Sequence, residues 1–269
     1  MITVVTDKGL QCTVKPTIFP DGTSQVWKLP TELFRSSHLE VTWNFEAERE
    51  ILDLLSLRKL LTHPAHTIDL HIPYLPYGRQ DKEVTNESTF NLHVFADLVN
   101  SLNCLSVTTV DAHNPQETAR LIKNLQNVDV RSLQLSLVHQ TQPDYIVYPD
   151  KGAEARYPRL SSNVIVFEKV RNQSTGQITG HSINYTHSCD AAQSLKAGSS
   201  FLIVDDLCDG GATFISIAKT LRELASNVKI DLYITHGIFS RGREALLTNG
   251  INRVYTTNSL LKNNDGYAV

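Results

Sequence analysis

Apolar residues in this chain recur with two periods that alternate along its length. Phe201 to Val204, Tyr145 to Tyr148, Val164 to Phe167 and Ile230 to Thr235 are largely continuous apolar runs, as strands read when a parallel sheet is covered on both faces. Ile2 to Val5, Gln11 to Val14, Ile68 to Pro73, Ser106 to Val110 and Val254 to Thr257 complete the predicted strands. Between them, apolar positions three and four apart predict helices. Phe45 to Leu61 carries Ile51, Leu52, Leu54, Leu55 and Leu57 and is closed by His63-Pro64. Leu92, Phe95, Ala96, Leu98 and Val99 mark a second helix, Leu121 to Leu125 continues a third, and Phe214, Ile217, Ala218, Leu221 and Leu224 share a face of a fourth. Strand and helix in alternation predict an α/β fold of doubly wound, mainly parallel sheets joined by right-handed crossovers.

The 269 residues suffice for two modest domains, and the passage between halves is placed around Val128 to Arg131, giving 1–130 and 131–269. With 41% hydrophobic and 20% charged residues the composition is that of a soluble protein, and a net charge of -3 argues against general nucleic-acid binding. No apolar run approaches the roughly 20 residues that span a bilayer, and no targeting pattern opens the chain, so no membrane partner and a cytoplasmic location are expected. Cys12, Cys104, Cys189 and Cys208 form no paired spacing and read as reduced thiols.

Chemistry concentrates where the run Phe201 to Val204 breaks into Asp205-Asp206-Leu207-Cys208-Asp209-Gly210-Gly211-Ala212-Thr213 before helical spacing resumes at Phe214. Such a strand-loop-helix junction lies at the carboxyl edge of a sheet, where loop amides and a helix N-terminus form an anion site. Asp205 and Asp206 would repel a phosphate and suit sugar hydroxyls instead. Acids for hydroxyls and amides for phosphate describe a ribose phosphate site.

These residues resemble the signature of proteins that bind phosphoribosyl pyrophosphate, both those that use it and those that make it. A second segment narrows the likeness: Pro73-Tyr74-Leu75-Pro76-Tyr77-Gly78-Arg79-Gln80-Asp81 is similar to a loop of the ribose-phosphate pyrophosphokinases that phosphoribosyltransferases lack. Further stretches follow in the family's order: Phe19-Pro20-Asp21-Gly22-Thr23, Asp111-Ala112-His113, Pro149-Asp150-Lys151-Gly152 with Arg156, Lys169-Val170-Arg171, and Thr235-His236-Gly237-Ile238-Phe239-Ser240. The chain thus resembles a short, divergent member of that family from about Phe19 to Ser259. Thr23 stands where the family usually has an acid, and Asp209 to Thr213 departs from the usual Asp-Thr-Gly-Gly-Thr.

The resemblance implies transfer of the β,γ-diphosphoryl group of Mg-ATP to the anomeric 1-hydroxyl of a ribose, with release of AMP. It assigns Phe19, Asp21, Arg79, Gln80, Asp81 and His113 to ATP, and His113 with Asp150 to Mg²⁺ or Mn²⁺. Asp205, Asp206, Asp209, Gly210, Gly211, Ala212 and Thr213 fall to the ribose phosphate. Lys169 and Arg171 fall to the group in flight, on a charged hairpin that includes Asn172 to Gly176. On a strand, residues two apart share a face, so Lys169 and Arg171 aim together. The active site is expected in the crevice between the domains of a homo-oligomer, dimer or hexamer, serving nucleotide biosynthesis or NAD metabolism. Ribose 5-phosphate is the default acceptor. Gly210 replaces a threonine of the usual loop, which removes a donor and is expected to open room for a ribose extended at its 5-position, such as ADP-ribose. A phosphoribosyltransferase consuming phosphoribosyl pyrophosphate and an inactive regulatory subunit are the alternatives.

Overall fold

The computed structural model describes residues 1–61, 67–83, 85–158, 160–171 and 178–260, with only the backbone at 171 and 178. His63-Pro64, the run Asn172 to Gly176 and the side chain of Arg171 therefore lie outside the described residues. The chain divides into two compact units, Met1–Asp129 and Val130–Val269. Each carries a six-stranded, mainly parallel sheet in an α/β arrangement.

In the first unit the elements are β1 (Ile2–Thr6), β2 (Gln11–Val14), β3 (Thr17–Ile18), β4 (Ser24–Gln25), β5 (His38–Trp43), α1 (Glu50–Leu60), β6 (Thr67–Ile72), α2 (Asn91–Ser101), β7 (Ser106–Val110), α3 (Pro115–Leu121) and β8 (Leu125–Val128). Strand order is β2-β1-β5-β6-β7-β8. β5 to β8 run parallel, while β1 and β2 are antiparallel at one edge. Burial alternates along β1, as expected where one face is covered. The core gathers Val4, Leu39, Val41, Trp43, Leu70, Ile72, Phe95 and Val107. Trp43 buries its ring and still satisfies its indole N–H on Glu50 Oε2 at 3.0 Å.

Two sequence expectations fail here. Helix α3 ends at Leu121, and Leu125 opens a strand. Asn100 of α2 seizes the backbone between them, donating to Leu121 O at 2.9 Å and accepting from Lys123 N at 2.8 Å. Asn124 then turns the chain at φ 56°, a left-handed value that asparagine tolerates. In α1, Leu54 and Leu57 are buried but Leu52 is exposed.

The second unit holds α4 (Arg131–Thr141), β9 (Tyr145–Tyr148), α5 (Lys151–Arg156), β10 (Val164–Arg171), β11 (Ile178–Ile183), β12 (Ser200–Cys208), α6 (Ala212–Leu224), β13 (Lys229–Gly237), α7 (Glu244–Leu247) and β14 (Arg253–Thr256). Strand order is β11-β10-β9-β12-β13-β14. From β9 the chain winds outward to β10 and β11, returns to β12 on the other side of β9, and winds away through β13 and β14. The carboxyl ends of β9 and β12 thus flank a reversal of strand order, where α/β sheets open a crevice. Phe214, Ile217, Ala218 and Leu221 of α6 are buried, whereas Leu224 is exposed, because at 100° per residue the tenth step leaves the stripe. β12 runs through Asp205-Asp206 to Cys208, beyond the apolar run that announces it. All four cysteines are free, and burial pushes the Cys208 thiol up to about 12. Among the described residues, no helix is long and apolar enough to cross a membrane.

Candidate active site

In the first unit, β6 and β7 are parallel neighbours, so the segments that leave their carboxyl ends emerge side by side. The segment after β6 is stiffened by Tyr77. Its ring packs on Phe95 at 5.4 Å between centroids, and its hydroxyl donates to Glu48 Oε1 at 2.6 Å. Gln80 N donates to Tyr77 O at 2.8 Å, and Gln80 Oε1 accepts from Asn91 Nδ2 at 2.6 Å. Asp81 Oδ2 accepts from Asn114 Nδ2 at 2.7 Å, while Asn114 Oδ1 caps α3 through Glu117 N. A Cβ built on Gly78 would lie 3.9 Å from His113 Cβ. The structure therefore brings the Arg79-Gln80-Asp81 segment against the strand end that bears His113. Phe19 and Asp21 sit in the turn between β3 and β4, where Asp21 Oδ1 accepts from Thr23 N and Thr23 Oγ1. The Thr23 hydroxyl, then its amide, hold the Asp21 carboxyl below its ordinary value.

In the second unit the site grows from the strand-order reversal. Asp150, just after β9, is the N-cap of α5: Oδ1 accepts from Gly152 N at 3.0 Å and Ala153 N at 3.1 Å. Its other oxygen faces Lys169 Nζ at 3.4 Å. Lys169 pairs directly with His181 of β11, so the two side chains rise from the same face of the hairpin. The His181 ring is buried, and neither nitrogen has a hydrogen-bond partner among the described residues. Burial first, then the nearby Lys169 charge, lower its affinity for a proton.

Asp205 and Asp206 are adjacent on β12 and interact with one another, Asp205 Oδ1 accepting from Asp206 N at 2.9 Å. Asp206 turns to Arg156 of α5, forming an ion pair of 2.6 Å with both side chains largely buried. The Asp205 carboxyl is raised well above its ordinary value, chiefly by burial, then by the charge of Asp206 and more weakly by Asp150. Asp205 thus feels the charge of Asp150, which Lys169 faces.

Beyond Cys208, Gly211 takes φ 77° as the N-cap of α6 and offers no side-chain cap. A Cβ there would be 2.7 Å from Leu246 Cδ2, so both conformation and contact demand glycine. The first amides of α6 are left for an outside acceptor, the arrangement that suits an anion. A Cβ on Gly210 would lie 3.4 Å from Arg241 Nε and 3.5 Å from Arg241 Cδ, ordinary van der Waals contact, so the Arg241 stem borders the room that glycine leaves. Sequence reasoning passed over Arg241 and His181. The pairing of Lys169 with His181 and the return of the chain after β13 bring them in, and neither relation is visible in the primary order.

No protein-family model matches the chain. It is 21% identical over 254 residues to a ribose-phosphate pyrophosphokinase of Sulfurisphaera tokodaii, covering 92% of this chain and 84% of that protein. It is 26% identical over 247 residues to ribose-phosphate pyrophosphokinase 2 of Saccharomyces cerevisiae, covering 85% and 73%. The chain is similar over most of its length to the ribose-phosphate pyrophosphokinases. Its fold is similar to that of the phosphoribosylpyrophosphate synthetase of Mycobacterium smegmatis, with a TM-score of 0.74 at 19% identity over 96% of this chain and 85% of that one. The likeness to ribose-phosphate pyrophosphokinases thus covers most of the chain, and the fold likeness covers both units.

Proposed function

We propose that the protein is a pyrophosphokinase that moves the β,γ-diphosphoryl group of ATP to the anomeric hydroxyl of a ribose phosphate and releases AMP. The observation that carries this reading is the union of the Arg79-Gln80-Asp81 segment with the His113 strand end through the Asp81 to Asn114 hydrogen bond. A phosphoribosyltransferase has no use for such a nucleotide-binding element, and an inactive subunit has no need of Lys169 facing Asp150. In this reading Arg79 takes nucleotide phosphate with its planar fork, and Phe19, Asp21 and Gln80 line the nucleotide.

The acceptor lies at the second unit. Amides of Gly211, Ala212 and Thr213 bind its 5-phosphate, the Thr213 hydroxyl adds a donor, and Asp205 accepts from a ring hydroxyl. Asp209 closes the loop. Asp206 acts through Arg156 to keep Asp205 in place. The 1-hydroxyl attacks the β-phosphorus of ATP, the bond from that phosphorus to the α-phosphate oxygen breaks, and AMP departs with the electron pair. Lys169 and Arg171 steady the negative charge spread over the moving group. Position and charge suffice for this chemistry without a protein nucleophile.

Among the described residues no three His, Cys, Asp or Glu side chains cluster as a metal cage. Mg²⁺ commonly takes one or two carboxylates and completes its shell with water and substrate phosphates. Asp150 Oδ2, left over from capping, fits that demand, and His113 is the corresponding residue of the first unit. When bound, the cation supplies charge neutralisation on the phosphates.

Ribose 5-phosphate and a 5-extended ribose such as ADP-ribose are both acceptors in this reading. The test is incubation with Mg-ATP and each acceptor, with AMP resolved by chromatography. AMP formed only when an acceptor is present supports the assignment, and consumption of phosphoribosyl pyrophosphate by a free base with release of pyrophosphate contradicts it.

A further inference from the structure

The loop after β12 and the turn after β13 are held as one unit. The strands pair to their ends, with Cys208 opposite Gly237. Cys208 O accepts from both Ile238 N at 2.9 Å and Phe239 N at 3.2 Å. Phe239 then adopts φ 47°, and Phe239 O accepts from Gly242 N at 2.8 Å, closing a tight turn whose outer residue is Arg241. The turn thereby lays the Arg241 stem across the open face of Gly210. A side chain at position 210 would have the Arg241 stem as its nearest neighbour, so the residue at 210 and the placement of Arg241 are linked.

Arg241 is exposed and makes no hydrogen bond or ion pair with any described residue. Its five N–H donors are uncommitted, beside a loop whose amides already suit one phosphate. A planar guanidinium in that position matches a second phosphoryl group in bidentate fashion. We propose that Arg241 is the acceptor-specificity residue of this loop, reading the anionic group attached beyond the 5-phosphate, and so favouring a ribose carrying a 5-diphosphate link over a ribose 5-monophosphate. The proposal rests on the acceptor reading of the 209–213 loop given above.

The test is equilibrium binding by calorimetry, without ATP, of ADP-ribose and ribose 5-phosphate to the unaltered protein and to Arg241→Ala, Arg241→Lys and Gly210→Thr. Arg241→Ala is expected to weaken ADP-ribose by about tenfold or more, the worth of a hydrogen bond to a charged group, and ribose 5-phosphate by less than about threefold. Arg241→Lys keeps the charge without the fork and falls between. Gly210→Thr, which displaces the stem, reproduces the Arg241→Ala preference. Thermal melts check that the exposed Arg241 variants stay folded. Equal losses for both ligands, or none, overturn the proposal while leaving the loop as an acceptor site. Binding of neither ligand to the unaltered protein overturns the acceptor reading and this proposal together.

Discussion

Lys169 Nζ stands 3.4 Å from Asp150 Oδ2, joining the outer hairpin of the second unit to the acid that caps α5. The two side chains are 37% and 43% exposed, and such pairs contribute about 0 to 1 kcal/mol to stability. The lysine is therefore kept for something other than holding the fold. Lys169→Ala is expected to leave the urea midpoint nearly unchanged and to lower kcat by about 100-fold, as loss of a donor to developing charge does. Arg171→Ala should do likewise. Steady-state kinetics with both substrates check this, and near-normal turnover in both variants would remove the pair from catalysis.

Asp206 and Arg156 behave oppositely. Their 2.6 Å pair has side chains only 6% and 16% exposed. Removing one partner leaves an uncompensated charge, so Arg156→Met is expected to cost about 3 to 5 kcal/mol. Chemical denaturation measures it. A loss below about 1 kcal/mol would mean that Asp206 finds solvent or another partner, and that it is available to the sugar directly.

Asp150 has two tasks that a single substitution separates. Asparagine still accepts the Gly152 and Ala153 amides and so preserves the cap. It surrenders the charge that attracts a hard dication. Asp150→Asn is expected to fold normally and to require a much higher Mg²⁺ concentration for half-maximal activity. An unchanged Mg²⁺ titration would take Asp150 out of the metal role.

Asp205 ties the site to pH. Burial, with the charge of Asp206 behind it, raises its carboxyl above the ordinary 3.8. The folded state then binds the proton more tightly than the unfolded state does. The stabilisation is complete below the unfolded value and is lost as pH rises through the raised folded one. Asp205→Asn, which never ionises, should therefore gain stability over the unaltered protein at neutral pH, with the gain shrinking towards pH 4. Urea midpoints across that range test it, and a constant difference at all pH values would contradict it.

Much of this was legible in the chain because the buried strands and the loops at their carboxyl ends are local patterns. The run into Asp205-Asp206 and the glycines before α6 declare a strand, a turn and a helix start without knowledge of the rest. β5 and α4 escaped because their apolar residues are interspersed with polar ones: His38–Trp43 alternates at an inner position of its sheet, and Arg131–Thr141 buries little beyond Gln134 and Leu137. The false extension of α3 arose because Asn100, distant in sequence, ends it. The pairing of Asp206 with Arg156 was not legible, because it depends on how α5 lies against the end of β12. Arg241 and His181 were invisible because each is recruited by a strand pairing. The room expected at Gly210 was read from one residue, and the stem that borders it comes from the next turn.

In the proposed reaction the diphosphoryl group moves intact from ATP to the anomeric oxygen of a ribose phosphate. Phosphorus NMR of a reaction containing Mg-ATP and acceptor tests it directly, because the product carries two coupled phosphorus signals on the 1-oxygen. Signals of a 1-diphosphate appearing in step with AMP, and slowed about 100-fold by Lys169→Ala, are the predicted result. Formation of ADP and a monophosphorylated ribose, or no transfer to ribose 5-phosphate or ADP-ribose by the folded protein, would contradict it.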